Sequence, residues 1–98
     1  MNFEKSQDGS KLVVKLIGEI DSVNSPELEE KLNAELDGVT DLEFDLKELE
    51  YISSAGLRVL LMMQKIMKSR GSIILKNTNS EVMGIFKVTG FARLLRFE

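Results

Sequence analysis

The alternating run Leu42-Glu43-Phe44-Asp45-Leu46 is followed by an apolar helical pattern over residues 55–69 and then, from Ser72 to Lys76, by the short run Ile73-Ile74-Leu75. Apolar residues at period two mark a strand with one buried face, a period near 3.6 marks a helix, and a short unbroken apolar run marks a buried strand. A strand–helix–strand unit of this kind closes as a right-handed parallel crossover, because a right-twisted strand packs its helix back onto the sheet only in that sense. An earlier unit repeats the arrangement. Lys11 to Ile20 is a strand rich in Val, Ile and Leu, and Ser25-Pro26 reads as an N-cap followed by proline at the first helical position. Leu28, Leu32 and Leu36 then recur every four residues, and Gly38 closes the helix.

Two further segments complete the order. Phe3 to Ser6 is expected as a short edge strand, joined to the next through Gln7-Asp8-Gly9-Ser10 with its Asp-Gly hairpin signal. Asn79-Ser80 caps a third helix over residues 81–88 that stops near Gly90, and Leu94-Leu95-Arg96-Phe97 offers one last short strand. The order β-β-α-β-α-β-α-β predicts a single α/β domain over residues 1–98, a mixed sheet of four or five strands with helices packed on it.

The stretch from Asp45 to Arg58 carries the functional information. It reads as a strand end, a short connection, and the pair Ser53-Ser54 at the threshold of the longest helix. Backbone N–H groups at a helix N-terminus lack intrahelical partners, and the macrodipole adds partial positive charge there. A serine at that place either caps the helix or accepts a phosphate that the terminus stabilises. One serine is expected to cap, which leaves the other surplus, with only small residues, Ala55 and Gly56, beside it. On a wheel of about 100° per residue, Val59, Leu60, Met62, Met63, Ile66 and Met67 share a broad side with Gly56, whose missing side chain allows close approach to the sheet. Leu57 and Leu61 fall on the other side, with Ser54, Arg58, Gln64, Lys65 and Lys68. Two leucines there mark either a protein-binding patch or packing against a neighbouring element.

Composition excludes several functions. The 98 residues contain no cysteine and no histidine, so disulfides, zinc sites built on those ligands and histidine-based catalysis are all ruled out. Ser-Ser-Ala-Gly is not a nucleophile elbow, and there is no P-loop or Gly-x-Gly-x-x-Gly, so no enzyme, cofactor or metal is expected. No apolar run approaches the roughly 18–20 residues that span a bilayer, and no signal peptide opens the chain; a cytoplasmic protein that does not bind membranes is expected. The bases are dispersed and the aromatics sit in apolar contexts that suggest core, which argues against nucleic-acid binding. Residues 19–50 hold twelve acids against Lys31 and Lys47, a balance of −10, whereas residues 51–98 hold eight bases against Glu81 and Glu98, a balance of +6. Internal complementarity and an acidic face awaiting a basic partner both fit that sorting.

Tyr51-Ile52-Ser53-Ser54-Ala55-Gly56-Leu57-Arg58 resembles the signature loop and helix start of STAS domains, specifically the bacterial anti-sigma factor antagonists. Gly18-Glu19-Ile20-Asp21 is similar to the family segment that closes its second strand, and Thr89-Gly90-Phe91 with Leu94-Leu95-Arg96-Phe97 resembles its closing turn and last strand. The resemblance implies a phosphorylation-switched binding module. Its unphosphorylated form sequesters an anti-sigma serine kinase of the histidine-kinase-like ATPase type, phosphorylation releases that kinase, and a PP2C-type phosphatase reverses the modification. It makes Ser54 the phosphoacceptor, with Asp21, Ser53, Ser54, Ala55, Gly56, Leu57, Arg58 and Leu61 as the partner surface. Apart from the resemblance, a monomer is the default expectation, with the oligomeric state left open. Ser53 stands where many members carry aspartate, which leaves Ser53 a second candidate acceptor. The same fold also serves as a constitutive scaffold in transporter and sensory complexes, where Ser54 would be structural only.

Overall fold

The computed structural model describes residues 2–98. Strand β1 (Asn2–Asp8) turns through Gly9, at φ +62°, into the antiparallel strand β2 (Lys11–Ile20). Helix α1 (Ser25–Glu35) crosses to β3 (Asp41–Ile52), and α2 (Ser54–Lys68) crosses to β4 (Ser72–Lys76). Helix α3 (Ser80–Thr89) and a 3₁₀ turn over Phe91–Arg93 follow. The sheet order is β1-β2-β3-β4, with β2, β3 and β4 mutually parallel, as the two crossovers require.

Leu12, Val14, Leu16 and Ile20 of β2 and Leu42, Phe44 and Leu46 of β3 are all buried. They join the buried side chains of all three helices in one cluster, so the helices cover one face of the sheet. The opposite face stays open and carries charge. There Lys76 lies 3.1 Å from Glu43, Lys11 lies 3.4 Å from the same carboxylate, and Lys15 pairs with Glu48. Hydrogen bonding to Glu48 raises the Lys15 pKa above the ordinary lysine value, and Glu43 does the same for Lys76. Part of the charge sorting along the chain is thus neutralised across the open sheet face.

Three expectations change. Strand β3 does not end near Leu46 but runs on to Ile52, through the stretch read as a connection. Lys15 pairs with Asp45 but Ile17 with Glu48, and Gly18 pairs with Leu49 but Glu19 with Tyr51. Each shift inserts one extra residue into β3, a β-bulge, so its buried residues Leu46, Leu49 and Ile52 fall three apart instead of two. The first helix begins at Ser25 with Asn24 at the N-cap position and no side-chain cap bond, so Ser25 is not its cap. The final segment forms no fifth strand. Phe97 makes an isolated parallel bridge to Leu75, and Leu75 N donates to Arg96 O at 2.9 Å, which covers part of the β4 edge.

Candidate functional site

Parallel pairing of Ile20 with Ile52 brings the carboxyl ends of β2 and β3 side by side. The loops that leave them are therefore neighbours: Ser53 N donates to Ile20 O at 2.8 Å. Crevices at the carboxyl ends of parallel strands are where α/β sheets generally meet their ligands.

The first loop is locked by its own polar groups. Asp21 Oδ1 accepts from Val23 N and from Asn24 N, both at 2.9 Å, while Asn24 Oδ1 accepts from Asp21 N at 2.9 Å. Asn24 Nδ2 donates to Glu19 O at 2.9 Å, and the Ser25 hydroxyl donates to Asp21 O. Asp21 is thus half-buried and occupied in holding the turn. The turn pushes Val23 outward to 86% exposure. Asn24→Ala removes two side-chain bonds and is expected to cost about 1–2 kcal/mol. Faster amide exchange confined to residues 21–25, with the rest of the chain protected as before, checks that this loss is local.

The second loop contains the serine pair, and the two residues do different work. Ser53, extended at ψ 173°, is the N-cap of α2: its hydroxyl accepts from Gly56 N at 3.3 Å and its carbonyl from Leu57 N at 2.9 Å. Ser54 is the first residue of the helix, is exposed, and its hydroxyl makes no hydrogen bond among the described residues. A Cβ on Gly56 would stand 2.7 Å from both Ile20 Cγ2 and Ile52 Cγ1, so this glycine lets α2 rest directly on the two strand ends. Arg58 is exposed one turn beyond Ser54. With Ala55 and Met62 it lines one wall of a groove of about 250 Å³, and Pro26 and Glu29 of α1 form part of the other.

The family model described as "Mlab, STAS domain" matches residues 3–96. BtrV of Bordetella bronchiseptica, assigned as an anti-sigma factor antagonist, is 38% identical over 82 residues, 82% of this chain and 71% of its own length. The anti-sigma-B factor antagonist of Bacillus subtilis is 31% identical over 96 residues, 97% of this chain and 88% of its own. The chain belongs to the STAS domain family, among the anti-sigma factor antagonists. The fold agrees: unphosphorylated SpoIIAA, another anti-sigma factor antagonist, superposes with a TM-score of 0.85 at 20% identity over 99% of this chain and 88% of its own. The family is regulatory, not catalytic.

Within this STAS domain the residues read from sequence as one surface separate into two groups. Ser54, Arg58 and half-buried Ala55 and Leu61 border solvent, and Asp21 and Ser53 sit beside them holding the two loops. Leu57 does not belong to that surface. It is 1% exposed and sits in the core, because the first turn of α2 is seated directly on the strand ends at Gly56, where its flank is covered too. Gly56 is buried as well. Three neighbours escaped sequence reading. Tyr51, an aromatic that its apolar context assigns to the core, is 46% exposed, because the second bulge in β3 turns it outward. Val23 gives no sign of its exposure in the sequence, whereas the locking role of Asn24 has one, an aspartate three residues before an asparagine.

Proposed function

We propose that the unphosphorylated STAS domain binds an anti-sigma serine kinase of the histidine-kinase-like ATPase type through the surface around Ser54. Phosphorylation of Ser54 releases that kinase, and a PP2C-type phosphatase restores binding. Ser53, Asp21, Ala55, Arg58 and Leu61 surround the switch, which operates in the cytoplasm; no helix among the described residues is long and apolar enough to cross a membrane. One observation carries the reading. Of two adjacent serines, Ser53 satisfies the helix amide, whereas Ser54 at the same terminus has an exposed hydroxyl that bonds to nothing among the described residues. A phosphate there adds about −1.5 to −2 charges at pH 7 with the helix N-terminus beneath it. The reading is also supported by SpoIIAA, which is known in a phosphorylated as well as an unphosphorylated form.

Incubation with the cognate kinase and ATP is expected to add one phosphate, at Ser54, on mass-spectrometric mapping. Phosphate at Ser53 would move the switch to the capping residue, and phosphate at neither would remove it. A constitutive scaffold is the second reading, favoured by Ser53 standing where the family pattern carries aspartate. It predicts no modification by any partner.

A further inference from the structure

We infer that Arg58 is the internal counter-ion of a phosphate on Ser54, so that modification both adds an anion and withdraws the cation lining the α1–α2 groove. The inference rests on the switch proposed above. It starts from helix geometry. Residues four apart on a helix are surface neighbours, with Cβ atoms about 5–6 Å apart, and an anion N-terminal to its cation is the favourable order. Long side chains on a helix also lean back toward the N-terminus, which brings the turn that holds Ser54 within reach of the Arg58 guanidinium. Both residues are exposed.

Arg58 is uncommitted. It takes part in no ion pair or hydrogen bond among the described residues, and the first turn of α2 contains no acid. Two acids belong to the loop and helix that complete its groove, which Ser22 and Pro26 line. Asp21, in the β2–α1 loop, spends Oδ1 on the amides of Val23 and Asn24. Glu29, on α1, lines the same groove without reaching ion-pair distance. A phosphate dianion outbids a distant carboxylate, because a guanidinium can engage two of its oxygens at once. The Ser54–Arg58 pair then passes from +1 to between roughly −0.5 and −1, a change of sign with no change of fold. A partner that docks on the unmodified form loses an arginine contact and meets an anion in the same event.

The test installs phosphoserine at position 54 during translation and follows its second ionisation by ³¹P NMR. Phosphoserine ionises a second time near pH 6. The parent is expected to titrate lower than the Arg58→Gln variant by about 0.15–0.35 pH units, and the gap is expected to narrow strongly in 1 M salt. Arg58→Lys should recover part of the gap, since a point charge lacks the two-pronged geometry. Parent and Arg58→Gln curves that coincide overturn the inference. No kinase enters this experiment, so a chain that no kinase modifies can still pass it, and a failure here leaves the phosphate-mapping result untouched.

Discussion

Replacing Gly56 by valine is expected to lower the stability of the domain by about 3 kcal/mol. The new Cβ would lie 2.7 Å from methyl and methylene carbons of Ile20 and Ile52, inside van der Waals contact, and 3.2 Å from Ile20 Cβ. Both isoleucines are at most 1% exposed, so neither can swing into solvent. They are also the last paired residues of β2 and β3, which ties their movement to the sheet. Relief must come from α2 lifting off the strand ends, which opens the packing of Leu57 and Leu60 beneath it. A domain of this size unfolds with a net of about 5–15 kcal/mol, and 1 kcal/mol shifts Tm by roughly 4–8 °C. Thermal denaturation followed by circular dichroism should therefore show a fall of about 12–24 °C. Gly56→Ala is the informative companion. Alanine gains about 1 kcal/mol of helix propensity over glycine, which offsets part of an overpacking cost of about 1–3 kcal/mol. A valine variant that melts with the parent would show that the helix is not seated on these strand ends.

The same glycine shows what the sequence made legible and what it did not. Close approach at Gly56 could be read from the helical wheel, because Gly56 falls on the side with Val59, Leu60 and Met63, all buried. Strand β4 could be read to its end residues, since Ile73-Ile74-Leu75 has no competing pattern. Strand β3 could not. Its two bulges change the spacing of inward residues from two to three between Leu46 and Ile52, and a period-two template loses the strand at the first bulge. Leu57 failed for a related reason. A wheel orders residues around an axis but does not say how that axis tilts, and α2 enters over β2 and β3 so that even its flank is covered at the first turn. The site was legible in its serines because capping is local chemistry, set by residues three apart. Its other half, the loop from Asp21 to Asn24, becomes a neighbour only through parallel pairing of strands whose ends lie over thirty residues apart in sequence.

Ser54→Asp is expected to weaken binding to the cognate kinase by one to two orders of magnitude while leaving the domain as stable as the parent or slightly more so. The two halves of this prediction have opposite signs and a common cause. An acidic side chain in the first turn of a helix gains about 0.3–1 kcal/mol from the exposed amides and the macrodipole. No acid now occupies the first turn of α2, so the gain is not shared with another residue. Ser53 keeps its bond from Gly56 N, so the cap is undisturbed. At the proposed interface the same charge would be buried against a partner surface that accepts a neutral hydroxyl, where an unpaired anion costs about 1.5–3 kcal/mol. Each 1.4 kcal/mol is tenfold in affinity, which gives the expected range. Aspartate carries one charge where phosphate carries nearly two, so the fully modified protein should bind more weakly still. Ser54→Ala, which removes an exposed hydroxyl that bonds to nothing among the described residues, should bind within about threefold of the parent, as surface truncations generally do. Calorimetric titration beside thermal melts separates the alternatives. Lost binding with a preserved melt belongs to a switch, lost binding with a lowered melt to damage of the fold, and binding unchanged in both variants to a scaffold in which Ser54 only begins a helix.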